Sequence, residues 1–515
     1  MPCHSSCLRT LRSALTCLLI PLASLSFVSA QSSPVFTWGD QGDGTFRNPV
    51  LNADYSDPDA IRVGDDFFLI ASEFHFMGMQ VLHSRDLVNW RIIAQVYRRL
   101  PISPKYDEMR GYAEGTWAPT LRYHDGTYYI FVCTPHDGLF MWHAKDPAGP
   151  WSDVVTVKSV DGWEDPCPFW DDDGNAYLMH SRLRAGPLIV HKMSPDGTRL
   201  LDDGVEVYRG NVAEGPKIFK RRGWYYVSLP EGGVSKGGQV LLRAKSLYGP
   251  FERRQVLVDG SPHQGALLEV NDTESWFIGF KSTDQLGRVC HLIPVRWGDD
   301  DWPVFGDNGT TVAQSRKPSL PPTPRGLPQM SDDFSKPTLG LQWQWNHNPV
   351  DTAWSLTEHS GWLRLRGQPA AGFKAARNTL TQKLWGTTGT FEAALDASSL
   401  APGQRAGVTF MSGDAFGWIG IVNKDGRLRV ATEAVEGPEL QARTIRLRAE
   451  YRGAEGTLSY SLDGKIFVEL GGKISLRAGH WKGARVALFC FGEGSGFADI
   501  DAVDYRCDDV AAKRD

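Results

Sequence analysis

The sequence predicts an all-β fold, a five-bladed β-propeller followed by a β-sandwich of jelly-roll type, and three observations lead to it. First, the 515-residue chain contains 54 Gly, 31 Pro and 18 Trp, a composition that favours short strands joined by many turns. Second, a strand-turn-strand pattern recurs five times at a nearly constant spacing. Third, a proline-rich stretch separates these repeats from a second strand-rich region, and the chain is long enough for two to four domains of roughly 150 residues.

The five repeats are rich in aromatic and β-branched residues, and each reads as two strands joined by a tight turn, with a third and a fourth strand to follow. They cover residues 57–72, 118–134, 165–181, 215–229 and 264–280. Measured at Pro58, Pro119, Pro166, Pro216 and Gly265, their spacing is 61, 47, 50 and 49 residues. This is close to the length of one four-stranded propeller blade. A sandwich also contains many short strands, but it does not produce this period. We therefore predict a propeller over residues 31–315.

The repeat pattern stops after Phe305, and the segment 316–330 contains five prolines, which predict an extended, solvated linker. Beyond it, residues 331–515 alternate apolar and polar side chains in segments such as 361–367 and 427–434. Such segments are typical of half-buried strands, and they show no blade period. A second all-β domain with two packed sheets fits this pattern best.

The first thirty residues have the pattern of an export signal. Arg9 and Arg12 precede an apolar run at 14–28, and the small residues Ser29 and Ala30 complete a cleavage site. We predict that residues 1–30 are removed and that the mature protein is periplasmic or extracellular. No later stretch offers about 18 uninterrupted apolar residues, so no membrane span is predicted.

Charge and cysteine content exclude several classes of partner and site. The 55 basic and 60 acidic residues nearly cancel to a formal net charge of −5, without a long run of one sign, so nucleic acid is not an expected partner. The five cysteines after the predicted signal are widely spaced and odd in number, and therefore predict neither a disulfide framework nor a Cys-x-x-Cys metal site. They are Cys133, Cys167, Cys290, Cys490 and Cys507.

Three acidic residues recur at the start of the blades. Asp57, Asp165 and Glu214 stand just before a Pro or a Gly-Pro in blades one, three and four. Because the innermost strands of a propeller line one channel, we expect their carboxylates to meet at its mouth. Asp before Pro is also a common turn element. A trio of acids in one semi-enclosed site favours function, however, because clustered carboxylates repel one another.

A pair of carboxylates is the minimal apparatus for glycoside hydrolysis, in which an acid protonates the leaving oxygen and a base activates water. A third carboxylate would raise the pKa of the acid and hold it in place. The sequence contains no Gly-rich phosphate loop, no Gly-x-Ser-x-Gly elbow and no His-Glu-x-x-His motif. Chemistry on sugars is the interpretation that remains.

The motifs around these residues resemble glycoside hydrolase family 43, of the β-xylosidase and α-L-arabinofuranosidase type. The segments that carry the resemblance are NPVLNADYSDPDA (48–60), ASEFHFMGMQVLHSRDLVNW (71–90), WAPTLRY (117–123), WEDPCPFWDDDG (163–174) and AEGPKIFKRRGWYYV (213–227). The resemblance implies that Asp57 is the general base, Asp165 the modulator that sets the pKa and orientation of the acid, and Glu214 the general acid. It also implies inversion at the anomeric carbon, with base and acid about 6.5 to 9.5 Å apart.

Further residues are candidate contacts to the sugar. The resemblance implies that His263 lies over the channel axis, often near a calcium ion held through water, although the sequence shows no compact run of oxygen ligands. It also implies that Arg288 reaches substrate hydroxyls and that Glu231 lies near the pocket. Phe74 and Trp117 are candidate walls, because sugar faces present C–H groups that stack on aromatic rings. No other cofactor is expected.

The region from 331–349 to 496–507 resembles the concanavalin-like sandwich appended to β-xylosidases of this family. In such relatives a sandwich loop reaches the propeller mouth and closes it into a pocket. A pocket implies exo action, with release of terminal xylose or arabinofuranose from a hemicellulose such as xylan or arabinoxylan. We favour a β-xylosidase, and an α-L-arabinofuranosidase or a dual-specificity enzyme remains the alternative. The sequence does not indicate an oligomeric state.

Two other classes of propeller protein share parts of this pattern. A retaining β-fructosidase shares the five-bladed architecture, but it carries an Arg-Asp-Pro and a Glu-Cys motif, whereas the nearest elements here are Arg85-Asp86-Leu87 and Glu164-Asp165-Pro166. A non-catalytic sugar-binding propeller is the rival from another functional class. The presence of all three carboxylates argues against it.

Overall fold

The computed structural model describes Met1, residues 37–326 and residues 328–507. The predicted export signal therefore lies, apart from Met1, outside the described residues, as do the last eight residues. Within the described part, the regular structure consists of β-strands and three short 3₁₀ helices, Pro104–Tyr106, Asp351–Ala353 and Phe373–Ala375. None of these helices is long and apolar enough to cross a membrane.

The first part of the chain folds into five consecutive four-stranded antiparallel sheets, counted over the described residues. Two short strands, β1 (Gly39–Asp40) and β2 (Thr45–Arg47), precede them. The first two sheets contain β3 (Ser56–Val63), β4 (Asp66–Ser72), β5 (Gln80–Ser84), β6 (Arg91–Gln95), β7 (Trp117–His124), β8 (Thr127–Thr134), β9 (Gly138–Ala144) and β10 (Val155–Lys158). The next two contain β11 (Trp163–Trp170), β12 (Ala176–Arg182), β13 (Leu188–Met193), β14 (Val205–Tyr208), β15 (Lys217–Arg221), β16 (Trp224–Glu231), β17 (Gly238–Ala244) and β18 (Glu252–Leu257). The fifth contains β19 (His263–Glu269), β20 (Glu274–Thr283), β21 (Gly287–Trp297) and β22 (Pro303–Phe305).

The hairpins that open these sheets coincide with the five sequence repeats. In the second sheet, the two-residue turn Asp125-Gly126 has both residues at positive φ, as the tight hairpin turns that match strand twist require. The innermost strands follow one another around the ring in chain order, and the last of them, β19, packs beside the first, β3. The ring is therefore closed, as expected of a propeller. A short strand β23 (Gln314–Arg316) pairs with β2 and ties the segment after the last blade to the segment before the first.

The second part of the chain is a sandwich of two antiparallel sheets. Its strands are β24 (Gln344–Trp345), β25 (Trp354–Ser355), β26 (Leu363–Arg366), β27 (Leu380–Lys383), β28 (Thr388–Asp396), β29 (Arg405–Ser412), β30 (Ala415–Lys424), β31 (Arg427–Thr432), β32 (Glu436–Glu439), β33 (Thr444–Arg452), β34 (Glu455–Ser461), β35 (Val468–Glu469), β36 (Ile474–Ser475), β37 (Arg485–Phe491) and β38 (Phe497–Cys507). One sheet has the order β24-β27-β37-β29-β30-β31-β32, and the other has the order β25-β26-β38-β28-β33-β34-β35. Alternate side chains of both sheets form the apolar core between them.

Blade one and the sandwich are packed together. The backbone of Phe76 bridges to that of Asn346, and the amide of His347 donates to the carbonyl of His75 at 2.9 Å. The proline-rich segment is also anchored, because Lys317 Nζ lies 2.7 Å from the carboxylate of Asp86. The expected linker is thus largely exposed but held against blade one by side-chain contacts, rather than solvated along its whole length.

Candidate active site

The inner strands share one backbone irregularity at the rim of the channel. In each blade one residue at the start of the strand has positive φ, and in four of the five blades the strand register shifts at this point. Such bulges re-aim the neighbouring side chains. The left-handed position is held by Asp57, Ala118, Asp165, Gly215 and Gln264.

The structure corrects the predicted register of the acids. Asp57 and Asp165 hold the left-handed position, but Glu214 lies one residue earlier, at the position that Glu164 holds in blade three. The Gly-Pro of blade four therefore replaces the Asp-Pro of blades one and three rather than following an equivalent acid. Aligning the repeats on their prolines would have shown Glu164 as a fourth acid at the rim, which the sequence interpretation missed.

These carboxylates line a cavity of about 430 Å³ at the channel mouth. The structure brings the predicted trio together there, with Phe74, Trp117 and Arg288 in its wall. The acids that line it are Asp57, Glu164, Asp165 and Glu214. One ligand oxygen from each of the last three lies within 4.8 Å of the others. A funnel with four carboxylates supplies the acid and the base that general acid-base catalysis needs.

Asp57 is held on both oxygens. Arg288 Nη1 lies 2.5 Å from Oδ1, and the hydroxyl of Ser72 donates to Oδ2 at 2.7 Å. The hydroxyl of Ser56 also donates to Oδ2, at 3.0 Å. Donors of this kind fix the orientation of a carboxylate. Asp57 is therefore equipped to act as a base.

The two acids of blade three favour the protonated form. Burial, followed by the nearby charge of Glu164, raises the pKa of Asp165 well above its ordinary value of 3.8. Burial also raises the pKa of Glu164 to about 7, and the charge of Glu214 adds to this effect. The amide of Gly215 donates to Asp165 Oδ2 at 2.7 Å, which links Asp165 to the backbone beside Glu214. This region of the cavity is built to retain protons.

Glu214 is the more accessible of these acids, with 19 % of its side chain exposed. His263 Nε2 lies 3.2 Å from its Oε1. His263 itself is buried and is not among the residues that line the cavity, so its contact with a sugar would be indirect. Its other ring nitrogen, Nδ1, is buried and has no hydrogen-bond partner within the described residues.

The predicted aromatic wall is present, and the sandwich extends it. The Phe74 and Trp117 rings lie edge to face with centroids 5.7 Å apart. Trp481, from the loop between β36 and β37, also lines the cavity, with its ring 6.5 Å from that of Trp117 and 53 % of the residue exposed. A sandwich loop thus reaches the propeller mouth. The sequence alone gave no means of identifying Trp481 as the residue that does so.

Glu231 is not among the residues that line the cavity. Its carboxylate accepts a hydrogen bond from the Tyr208 hydroxyl at 2.5 Å and pairs with Arg253 Nη2 at 2.5 Å. Both oxygens are therefore used in contacts with β14 of blade three and β18 of blade four. The structure does not place this candidate contact at the site.

Comparisons with known proteins match both parts of the chain. The model of glycosyl hydrolases family 43 matches residues 46–303, and the model of the beta xylosidase C-terminal concanavalin A-like domain matches residues 331–506. The chain belongs to glycosyl hydrolases family 43. It is therefore a glycoside hydrolase.

Individual relatives agree with this assignment. A putative beta-xylosidase from Xylanibacter ruminicola is 46 % identical over 87 % of this chain and 87 % of its own. A non-reducing end alpha-L-arabinofuranosidase from Bacteroides ovatus is 35 % identical over 63 % of this chain and 65 % of its own. The crystal structure of the GH43 protein BlXynB from Bacillus licheniformis has a TM-score of 0.80 at 27 % identity, with 90 % of this chain and 99 % of that chain covered.

Asp165→Asn is expected to stabilise this family 43 enzyme at neutral pH while lowering its activity. Because the pKa of Asp165 is raised on folding, the folded state must keep a proton that the unfolded state releases above pH 3.8, so the destabilisation grows as pH rises towards the folded pKa. Removing the carboxyl group should raise the Tm at pH 7 by roughly 1 to 3 °C. Differential scanning calorimetry should show this gain at pH 7, and the gain should shrink as the pH approaches 4.

Asp171→Asn is the matched control in the same blade. Partial burial raises the pKa of Asp171, but hydrogen bonds from Lys220 and Tyr225 outweigh this effect and lower it below its ordinary value. Its ionised form therefore stabilises the fold above pH 3.8, and Asp171→Asn should lower the Tm at pH 7. Equal Tm shifts of the same sign in the two variants would contradict the raised pKa of Asp165.

Proposed function

We propose that this family 43 enzyme is an exo-acting, inverting β-xylosidase that releases terminal xylose from xylan, arabinoxylan and xylo-oligosaccharides. The observation that carries the proposal is the cavity itself, in which carboxylates from blades one, three and four meet under an aromatic wall from both domains. The named β-xylosidase relative supports this substrate class. A cavity of about 430 Å³ accommodates a terminal sugar and part of the next unit.

In the proposed mechanism, Asp57 removes a proton from a water molecule as the water attacks the anomeric carbon. Glu214 donates a proton to the glycosidic oxygen, and the C–O bond breaks with inversion. Arg288 and Ser72 orient Asp57 through its two oxygens. Asp165 is the modulator in this proposal: it accepts a hydrogen bond from the Gly215 amide beside Glu214, and so orients the acid rather than reacting itself.

We infer exo action from the way in which the pocket is closed. Trp481 lines the cavity from the sandwich side, beside Trp117 at the start of β7. A chain end fits such a pocket, whereas an internal stretch of polymer needs an open cleft. Phe74, Trp117 and Trp481 offer ring faces and edges for the C–H groups of a pentose.

Trp481→Ala should weaken substrate binding more than it slows the chemical step. Loss of one aromatic contact should raise KM for an aryl xyloside by about three- to tenfold, with a smaller change in kcat. Trp481→Phe, which keeps a ring, should remain close to the parent enzyme. Steady-state kinetics of the three proteins decide the matter, and an unchanged KM for Trp481→Ala would remove this residue from the pocket wall.

An α-L-arabinofuranosidase or a dual-specificity enzyme is the alternative, favoured by the arabinofuranosidase relative. The rates of hydrolysis of 4-nitrophenyl β-D-xylopyranoside and 4-nitrophenyl α-L-arabinofuranoside, measured side by side, separate the xylosidase from these alternatives. The Glu214→Gln variant is the control for activity that does not come from this site. The larger kcat/KM identifies the main sugar. Proton NMR of the first product from the xyloside should show α-xylose. An enzyme inactive on both glycosides and on xylo-oligosaccharides would refute the proposal.

Two further proposals concern a cation and export. His263, whose buried Nδ1 has no hydrogen-bond partner within the described residues, would lie near a calcium ion and contact it through water. Such an ion would supply positive charge near the channel axis, and a Tm that is unaffected by calcium and by chelator would refute it.

We also propose that residues 1–30 direct export, on the sequence pattern alone. N-terminal sequencing of the native protein should then begin at Gln31.

A further inference from the structure

A cluster of buried charges lies where the sandwich meets blade one, close beneath the cavity. The sandwich supplies Lys383, Lys482 and Arg485, and the propeller supplies Asp54 and Glu73; all five are buried. Burial raises the pKa of Glu73, but the three cations outweigh this effect and lower it to about 2. Buried ions of this kind need close partners, because their desolvation is costly.

Lys482 differs from the other two cations in what it contacts. Its Nζ donates to the backbone carbonyl of Ser72 at 2.8 Å and lies 2.8 Å from Asp54 Oδ2, with Glu73 Oε2 at 3.4 Å. By contrast, Lys383 Nζ reaches Glu73 Oε1 at 2.8 Å, and within the described residues it forms no ion pair or hydrogen bond with Asp54 or with the Ser72 carbonyl. Only 2 % of the Lys482 side chain is exposed. One buried lysine of the sandwich thus contacts two separate segments of the propeller.

Both of these segments lead to the carboxylate of Asp57. On one path, the Ser72 hydroxyl accepts a hydrogen bond from the Ala118 amide at 2.7 Å and donates to Asp57 Oδ2 at 2.7 Å. On the other, Asp54 Oδ1 accepts the Arg288 amide at 3.0 Å, and Arg288 Nη1 binds Asp57 Oδ1. Lys482 thus contacts the backbone carbonyl of Ser72, whose hydroxyl orients Asp57 Oδ2. Its partner Asp54 binds the backbone amide of Arg288, whose guanidinium group orients Asp57 Oδ1.

We propose that Lys482 is a positioning residue for the catalytic base, through which the sandwich domain takes part in the chemical step. The inference rests on the proposed role of Asp57. Attack by water requires the base to be held to within a fraction of an ångström, and such precision comes from the residues that support it. Lys482 also follows Trp481 directly, so the loop that closes the pocket also holds the supports of the base.

The test compares Lys482→Met with Lys383→Met, a matched buried lysine that pairs with the same Glu73. Both variants should lower the Tm. Lys482→Met should lower kcat on an aryl xyloside by about 10- to 100-fold with KM within about twofold of the parent value, because it removes orientation rather than binding. Lys383→Met should keep kcat within about twofold.

Equal losses of kcat in the two variants would overturn the inference, because they would indicate a general loosening of the interface. A rise in KM alone for Lys482→Met would also overturn it and would assign Lys482 to the support of Trp481. If Lys482→Met does not fold, Lys482→Met/Asp54→Asn is compared with Asp54→Asn alone, and the double variant should lose a further part of kcat because it also lacks the hydrogen bond to the Ser72 carbonyl. A parent enzyme inactive on all pentosides would instead refute the proposed function.

Discussion

Asp57→Asn should lower kcat on an aryl xyloside by about 1,000-fold or more, the upper part of the range that general acid-base catalysis contributes. The amide keeps the size of the carboxylate and can still accept a hydrogen bond from Ser72, but it cannot take a proton from water. Arg288 Nη1, which lies 2.5 Å from Oδ1, would lose its charged partner at the same time. Pre-steady-state and steady-state kinetics on the xyloside measure the loss.

Asp59→Asn is the control for this prediction. Asp59 lies two residues further along β3, is also buried, and pairs with Arg122 at 2.8 Å instead of lining the cavity. It should keep kcat within about tenfold while losing stability, because it breaks a buried ion pair. If Asp59→Asn were the inactive variant and Asp57→Asn the active one, the base would have been assigned to the wrong carboxylate.

Azide offers a second check on the same assignment. In Asp57→Ala the space left by the carboxylate admits a small anion, and azide needs no base to attack the anomeric carbon. Azide should therefore restore part of the turnover, and from a β-xyloside the product should be the α-configured azide, since attack comes from the face opposite the leaving group. A β-configured azide would indicate a covalent intermediate and a retaining mechanism.

The blade pattern was predictable because each blade repeats the same local sequence pattern, which is typical of two buried strands joined by a tight turn. The composition of Ile, Val, Tyr and Phe around the turn Asp125-Gly126 is enough to indicate that hairpin. The trio of acids was also accessible from the sequence, because equivalent positions of a propeller meet at one rim. What periodicity did not resolve was a register of one residue, and this is why Glu214 was placed with Asp57 and Asp165, and Glu164 was overlooked.

The parts of the site that depend on the packing of the sandwich against blade one could not be predicted in this way. Trp481 reaches the cavity only because blade one and the sandwich pack through contacts such as that between Phe76 and Asn346, which are far apart in the chain. No local pattern specifies such a contact. Likewise, Glu231 lies in a segment that resembles a pocket segment of the family, yet its carboxylate binds Tyr208 of blade three and Arg253 of blade four.

Glu214→Gln should produce a loss that depends on the leaving group. An alkoxide is a poor leaving group and needs the proton of the acid, so hydrolysis of xylobiose should fall by about 1,000-fold or more. A 2,4-dinitrophenolate leaves without protonation, so its xyloside should lose less than about tenfold in kcat. Comparing the two substrates for the parent and variant enzymes measures this difference directly.

The control for Glu214→Gln is Glu231→Gln, a change in the same blade at a carboxylate that does not line the cavity. It should leave the ratio of the two substrates unchanged. The dependence on the leaving group distinguishes a proton donor from a residue that only shapes the pocket, because a misshapen pocket slows both substrates alike. A uniform loss for Glu214→Gln would therefore contradict its role as the acid. Since Glu164 shares the rim position of Glu214 and has a pKa raised to about 7, it is the carboxyl group to which the proton donor would then be reassigned.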